Sequence, residues 1–284
     1  MVDTTKAKAI LTDWKGDNYA FGTDVLDKTG EYAKSIGKNA LLVMADLGLD
    51  WIEDIYKKVT ASLETNGVNY TVILGAGPNA PREDVYRIAC WISKTCPDSI
   101  VAVGGGSTID AAKFASVIST YSTSQVVEHL GAAQALASTV EPFFGVGNVT
   151  KIQDATGISS IPIVAVETAA SSGAHLTKYS NITDPVSGQK KLIIDMAVVP
   201  PKAVFDYSVT TGSPIGLTLD GGLDGIAHIW EVFMGSTGKD YYDRVKEIAV
   251  EGIRLIVENL PKAIANPMDV DARVALGCGT DLGG

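Results

Sequence analysis

Histidine and cysteine are scarce in this chain, with three of each in 284 residues. Cys90, Cys96 and Cys278 form neither a CxxC pair nor a zinc-ribbon pattern, which excludes a redox disulfide motif and points to reduced thiols. Positive charge is also short. Lys and Arg number 23 against 33 Asp and Glu, a net charge of −10, which argues against nucleic acid as the partner. Long apolar runs are missing, so no stretch reads as a bilayer span. The opening "MVDTTKAKAILTDWKGD" lacks the basic start and apolar run of a signal peptide. These absences describe a soluble, cytoplasmic protein that binds neither membrane nor nucleic acid. What is present is apolar mass: 46% hydrophobic against 20% charged residues supports a buried core and excludes disorder. The length suits one large domain or two moderate ones.

From Lys38 the chain alternates between two patterns. "NALLVMAD", "NYTVILGAG", "SIVAVGGG" and "IPIVAVET" read as buried strands. Between them, "DWIEDIYKKVTASLETNG" has helical spacing at Ile52, Ile55, Val59 and Leu63 and a stop at Gly67. "PREDVYRIACWISKT" is a helix with Pro81 at its start, and "STIDAAKFASVIST" is a third helix. Such alternation predicts parallel strands with crossover helices, an α/β sheet covered on both faces. A further helix is expected around residues 126–137, and two strands around a turn at 185–188. "AVFDYSV" closes this half. After Asp206 the pattern is helical, and Val245, Ile248, Ala249, Gly252, Ile256 and Leu260 share one face. Ile253, Leu255 and Val257 widen it, so this helix needs neighbours on several sides. The expected division is an α/β domain with a parallel nucleotide-binding sheet over residues 1–206, then an all-α domain over 207–284.

Three local features carry chemistry. In "VAVGGGSTIDAAK", Gly104, Gly105 and Gly106 end a strand and Ser107 opens a helix, with Ser107 and Asp110 spaced as a capping box. Glycines admit a ligand close to the backbone, and free N–H groups at a helix start attract phosphate. The plain alternative is a tight strand–helix turn; the GxGxxG spacing of the usual dinucleotide fingerprint is absent. Asp46 ends the first strand, where a carboxylate can accept from ribose hydroxyls and repel a 2′-phosphate. In "GGLDGIAHIW", Asp224 and His228 lie four apart on one helix face, as two metal ligands or as a hydrogen-bonded pair.

In their order along the chain these features resemble the iron-containing (group III) alcohol dehydrogenase family, whose fold is shared with dehydroquinate synthase. The matches are Asp46, "GPNAP" at 77–81, "GGGSTIDAAK" at 104–113, "SNITD" at 180–184 and "GGLDGIAHIWE" at 221–231. The resemblance implies that Asp46 binds the adenosine ribose and favours NAD over NADP, and that Asn79 lies near the cofactor. It implies that Gly105, Gly106 and Ser107 cradle the pyrophosphate while Asp110 braces the loop. The family's threonine- and glycine-rich segment falls on "ETAASSGAH", where Thr168 is kept and Ser172 replaces a threonine. Ala169 and His175 depart from the pattern, standing for a threonine and a glutamate. Thr177 and Tyr179 would line the cofactor, and Lys191 matches a lysine near it. Asp224 and His228 match the first two of four metal ligands. The family's other two are histidines further on, and none follows His228, so the resemblance implies a C-terminally truncated member with an incomplete helical part.

The implied function is an NAD-dependent alcohol dehydrogenase or aldehyde or ketone reductase. Fe²⁺, or Zn²⁺ as the alternative, would polarise the substrate oxygen. A small alcohol or aldehyde would bind between the two halves, and a homodimer or larger homo-oligomer is expected. The rivals are a maleylacetate reductase, sugar-acid oxidase or glycerol dehydrogenase of the same fold, and a catalytically silent NAD-binding remnant. His175 is read as a loop histidine in a structural hydrogen bond, with proton relay or metal binding as alternatives. His129 is read as a surface residue.

Overall fold

The computed structural model describes residues 2–121 and 140–284; the helix expected at 126–137 and His129 lie outside them. Three N-terminal elements precede the alternating region: α1 (Thr5–Lys15), β1 (Tyr19–Gly22) and α2 (Lys28–Ile36). Next come β2 (Asn39–Met44), α3 (Asp50–Thr65), β3 (Asn69–Leu74), α4 (Arg82–Thr95), β4 (Ser99–Gly104) and α5 (Gly106–Tyr121). After the undescribed stretch follow β5 (Gly145–Val146), α6 (Asn148–Thr156), β6 (Ile163–Glu167), β7 (Tyr179–Asp184), β8 (Gln189–Ile194) and β9 (Lys202–Asp206).

Six strands form one parallel sheet in the order β1-β9-β6-β4-β2-β3. Its strands are apolar on both faces because both are covered. On β2, Leu41 and Val43 face α4 and α5, while Ala40, Leu42 and Met44 face α2 and α3, as the two-residue period of a strand requires. The chain moves outward from β2 to β3, then returns to place β4 on the other side of β2. That reversal opens a crevice at the carboxyl ends of β2 and β4, where open α/β sheets bind ligands. A smaller sheet, β5-β8-β7, contains the expected hairpin. β7 and β8 run antiparallel, and the turn between them closes with Gly188 at φ +67°.

Beyond β9 the described chain is helical: α7 (Ile215–Gly235), α8 (Tyr242–Ala265) and α9 (Val270–Asp281). Tight 3-10 turns over residues 207–212 and Pro214 delay α7 to Ile215. On α8 the expected face is buried at Ala249, Gly252, Leu255, Ile256 and Leu260, but Val257 points to solvent. The helices are not a separate layer. Ala7 and Leu11 of α1, Tyr19, Phe205, Tyr207, Leu255 of α8 and Ala275 and Cys278 of α9 share one core with the sheet edge. No described helix is long and apolar enough to cross a membrane.

Candidate cofactor site and its flanking metal pair

The crevice is lined by the ends of β2, β3 and β4. Gly104 sits at φ +155°, and a Cβ there would stand 2.7 Å from Ala45 Cβ, so the glycine lets the β4 turn pass directly against the end of β2. Asp46, the next residue, is exposed at the crevice with φ +50°. Asn79 and Ala80, after β3, also take left-handed backbone at φ +64° and +47°. Non-glycine residues in this region cost energy and gather at ligand-binding loops. The 75–80 loop is braced from α4: Arg87 donates to the carbonyls of Leu74 and Gly75, and Gly77 N donates to Asp84.

The residues expected to cradle a phosphate, Gly105, Gly106 and Ser107, stand at the start of α5. The carbonyl of Gly105 accepts the first helical bonds from Thr108 and Ile109. The N–H groups of Gly106 and Ser107 precede these bonds, at the helix start where N–H groups lack intrahelical carbonyls and attract anions. Ser107 Oγ accepts from Asn79 N at 3.0 Å, tying the β3 loop to this turn. A Cβ on Gly106 would stand 2.8 Å from Ser172 Oγ, and one on Gly105 would stand 3.4 Å from Ala169 Cβ. Ser172 Oγ is buried and has no hydrogen-bond partner among the described residues. A hydroxyl left so beside a helix N-terminus fits a bound phosphate or amide oxygen.

The capping box expected of Ser107 and Asp110 does not form. Gly105, whose carbonyl accepts the first helical bonds, is the cap position, so Ser107 lies inside the helix, and the Asp110 carboxylate is engaged elsewhere. Asp110 Oδ2 accepts from Asn181 N at 2.9 Å, and Ser180 Oγ donates to the Asp110 carbonyl, so Asp110 braces α5 against β7. Beside it, Lys113 is fully buried. Its ammonium donates to the carbonyls of Ala174 (2.6 Å), Thr177 (3.0 Å) and Tyr179 (2.7 Å) and lies 3.7 Å from Asp110 Oδ1. Burial lowers the Lys113 pKa and raises that of Asp110, each opposed by the other's charge.

Asn79, Gly106, Ser107 and Ser172 therefore meet directly, with Gly105 against Ala169 and Asp46 across the crevice. Thr177 and Tyr179 meet Asp110 around Lys113; the Thr177 side chain is buried there and the Tyr179 ring is half-exposed. Thr168 is buried, its N–H donating to Glu167 Oε1. Lys191 stands apart on β8, opposite Ile182, with its ammonium over the Phe144 ring.

The candidate metal pair stands on α7, which leans on the same loop. A Cβ on Gly221 would meet Ala170 O at 2.3 Å, one on Gly222 would meet Leu260 of α8, and one on Gly225 would meet Thr280 of α9. The glycines of "GGLDG" thus form the buried side of α7 and set its distance from loop and helices. Asp224 and His228 occupy the open side, 40–47% exposed, with His228 Nε2 3.7 Å from Asp224 Oδ1. Carboxylate and imidazole so placed can reach one Fe²⁺ or Zn²⁺ ion. Among the described residues no third His, Cys, Asp or Glu joins them as a ligand.

His175 does not face the crevice. It is buried between Glu167 and Asp281, with Tyr19 and Tyr207 completing a polar cluster. Glu167 had a signal in the sequence, as an acid closing an apolar strand. Tyr19, Tyr207 and Asp281 had none, since their meeting depends on the fold.

A parallel sheet whose glycine turn opens onto a helix N-terminus at the switch point, with a helical region resting on that turn, defines an α/β fold extended by helices. The chain belongs to the iron-containing alcohol dehydrogenase family, whose model matches residues 16–207. It is 27% identical over 256 residues to the NAD-dependent methanol dehydrogenase of Bacillus methanolicus, covering 90% of this chain and 60% of that protein. It is 27% identical over 265 residues to the 1,3-propanediol dehydrogenase of Citrobacter freundii, covering 93% of this chain and 62% of that protein. The solved alcohol dehydrogenase from Oenococcus oeni superposes with a TM-score of 0.77 at 25% identity, over 94% of this chain and 64% of that one. The chain thus spans about 60% of the length of the curated relatives it matches.

Proposed function

We propose that this chain carries the cofactor half and the first two metal ligands of an NAD-dependent alcohol dehydrogenase acting on a small alcohol or aldehyde in the cytoplasm, as a homo-oligomer. The observation that carries the reading is the buried, unpartnered Ser172 hydroxyl facing Gly106 at the start of α5. The pyrophosphate would lie on the first-turn N–H groups of α5, with Ser172 donating to it. Asp46, across the crevice, would accept from the adenosine ribose hydroxyls, and its charge disfavours a 2′-phosphate. Asn79 holds Ser107 in place through its N–H, and Lys113 holds the 174–179 segment that closes the site. Asp224 and His228 would hold iron, or zinc, through two of its ligands. When bound, NAD supplies the hydride acceptor and the metal supplies Lewis-acid polarisation of the substrate oxygen. The packing of Gly221 on Ala170 supports this reading, because α7 would then hold the metal pair beside the loop that meets the cofactor.

A second reading, an NAD-binding chain without the reaction, is favoured by the donor count: two ligands among the described residues, where catalytic sites use three or more. Fluorescence titration with NADH tests the shared part. Saturable binding is expected, weakened about tenfold by Gly106→Ala, which sets a methyl against Ser172 (about 1.4 kcal/mol). No saturation at millimolar NADH refutes both readings. Ferrous-dependent NADH production from a short alcohol decides between them.

A further inference from the structure

The cluster around His175 has no part in the reading above, and its hydrogen bonds determine its charge. Nδ1 lies 3.1 Å from Glu167 Oε2. Nε2 lies 3.0 Å from Tyr19 Oη and 3.3 Å from Asp281 Oδ1. Tyr19 has a single hydroxyl proton, and it goes to Asp281 Oδ2 at 2.5 Å. Its oxygen is then left to accept from Nε2. Tyr207 donates to the same Asp281 oxygen at 2.7 Å. Glu167 Oε1 accepts from the N–H groups of Thr168 and Ala169, which aims Oε2 at the ring. Both imidazole nitrogens therefore face acceptors, and both carry protons.

The groups around the ring come from every neighbouring element. β6 supplies Glu167, β1 Tyr19, the turn after β9 Tyr207, and α9 both Asp281 and Cys278. α5 adds Lys113 and Asp110 behind Glu167. Burial alone would push the histidine down, but Asp281 and Glu167 outweigh it and raise the ring to about 9.

Glu167 begins the loop that carries Ala169 and Ser172. Asp281 lies on α9, where Thr280 packs on Gly225 behind the metal pair, and Gly284 packs against Gly173 in the loop. We propose that His175 is a positioning residue, a buried imidazolium that clasps the cofactor loop, through Glu167, to the helix backing Asp224 and His228, through Asp281. Where the ring loses its proton, two buried carboxylates lose their shared counter-ion and the loop separates from α9. The ligand readout below rests on the proposed NAD site; the charge and exchange readouts do not.

The test uses the whole chain with ¹⁵N-labelled histidine, the His175 signal being assigned by its loss in His175→Gln. A doubly protonated ring is expected at about pH 7, titrating near pH 9 and moved toward the ordinary 6.5 by Asp281→Asn. Amide exchange, corrected for its intrinsic pH dependence, is expected to rise about tenfold in segments 168–174 and 276–284 together as the ring deprotonates. NADH affinity is expected to fall about tenfold over the same range. A ring that is neutral at about pH 7, or exchange that rises in one segment without the other, overturns the clasp. A charged ring with coupled exchange and no NADH binding at any pH supports the clasp and overturns the cofactor assignment.

Discussion

Replacing Gly221 by alanine sets a methyl group against the backbone of the cofactor loop. The new Cβ would stand 2.3 Å from Ala170 O and 3.2 Å from Ser171 Cβ. Carbon and oxygen come no closer than about 3.3 Å even in favourable C–H···O contacts, so helix and loop must part by about 1 Å. The obstacle is a main-chain carbonyl, which cannot swing aside like a side-chain tip. Overpacking of this kind costs about 1–3 kcal/mol, and a backbone clash belongs at the upper end. Alanine recovers roughly 1 kcal/mol of helix propensity, leaving a net loss of about 2 kcal/mol. Gly216 on the same helix is the control, because a Cβ there meets nothing within 4 Å. Gly216→Ala is expected to be neutral or to stabilise by up to about 1 kcal/mol. Urea unfolding of the two variants, with unchanged m-values, reads the difference. If Gly221→Ala is as stable as Gly216→Ala, the packing of α7 on the loop is wrong, and the support it lends to the proposed function goes with it.

The same structure makes two other stability predictions. His175 holds its proton to about pH 9 when folded against 6.5 when unfolded, so its contribution is complete below pH 6.5, declines between 6.5 and 9, and is lost above 9. The fully buried ring makes this on the order of 3 kcal/mol, measured as a falling Tm across that range; a Tm that rises there contradicts the assignment. Lys113→Met leaves the buried Asp110 carboxylate without its cation and three carbonyls without their donor, at a cost of about 3–5 kcal/mol by chemical denaturation. Adding Asp110→Asn should recover part of that loss in a double-mutant cycle.

Much of this was legible because it is local. Strands β2, β3, β4 and β6 are short apolar runs bounded by turns, and the glycines at 104–106 announce a close approach that the structure realises against Ala45 and Ser172. The β7–β8 hairpin and the Asp224–His228 spacing are equally local. The N-terminal elements were not legible. β1 is four residues long, and α1 is helical in a way that matters only because Ala7 and Leu11 meet the core shared with α8 and α9. The capping box was misread because spacing alone does not show that Asn181 and Lys113 compete for the Asp110 carboxylate. A lysine three residues after Asp110 in the small and largely apolar "IDAAKFASVIS" was a usable sign of a buried charge site. The His175 cluster joins β1 to α9, and nothing near either end of that contact foretells the other.

Tyr19 reaches Asp281 across 262 positions, and β1 pairs with β9, whose first partner residue is Ala203. This has a consequence for synthesis. At roughly 5–20 residues per second, the ribosome takes roughly 15–50 seconds to make the chain between these two residues. The units around β2, β3 and β4 join near neighbours and can assemble in that interval. α1 and β1 cannot, since the strand they accompany and the helix that receives them have not yet emerged. During synthesis β1 therefore stays an unpaired strand until β9 has emerged. The clasp at His175 likewise waits for α9, because Asp281 is its last member to be made.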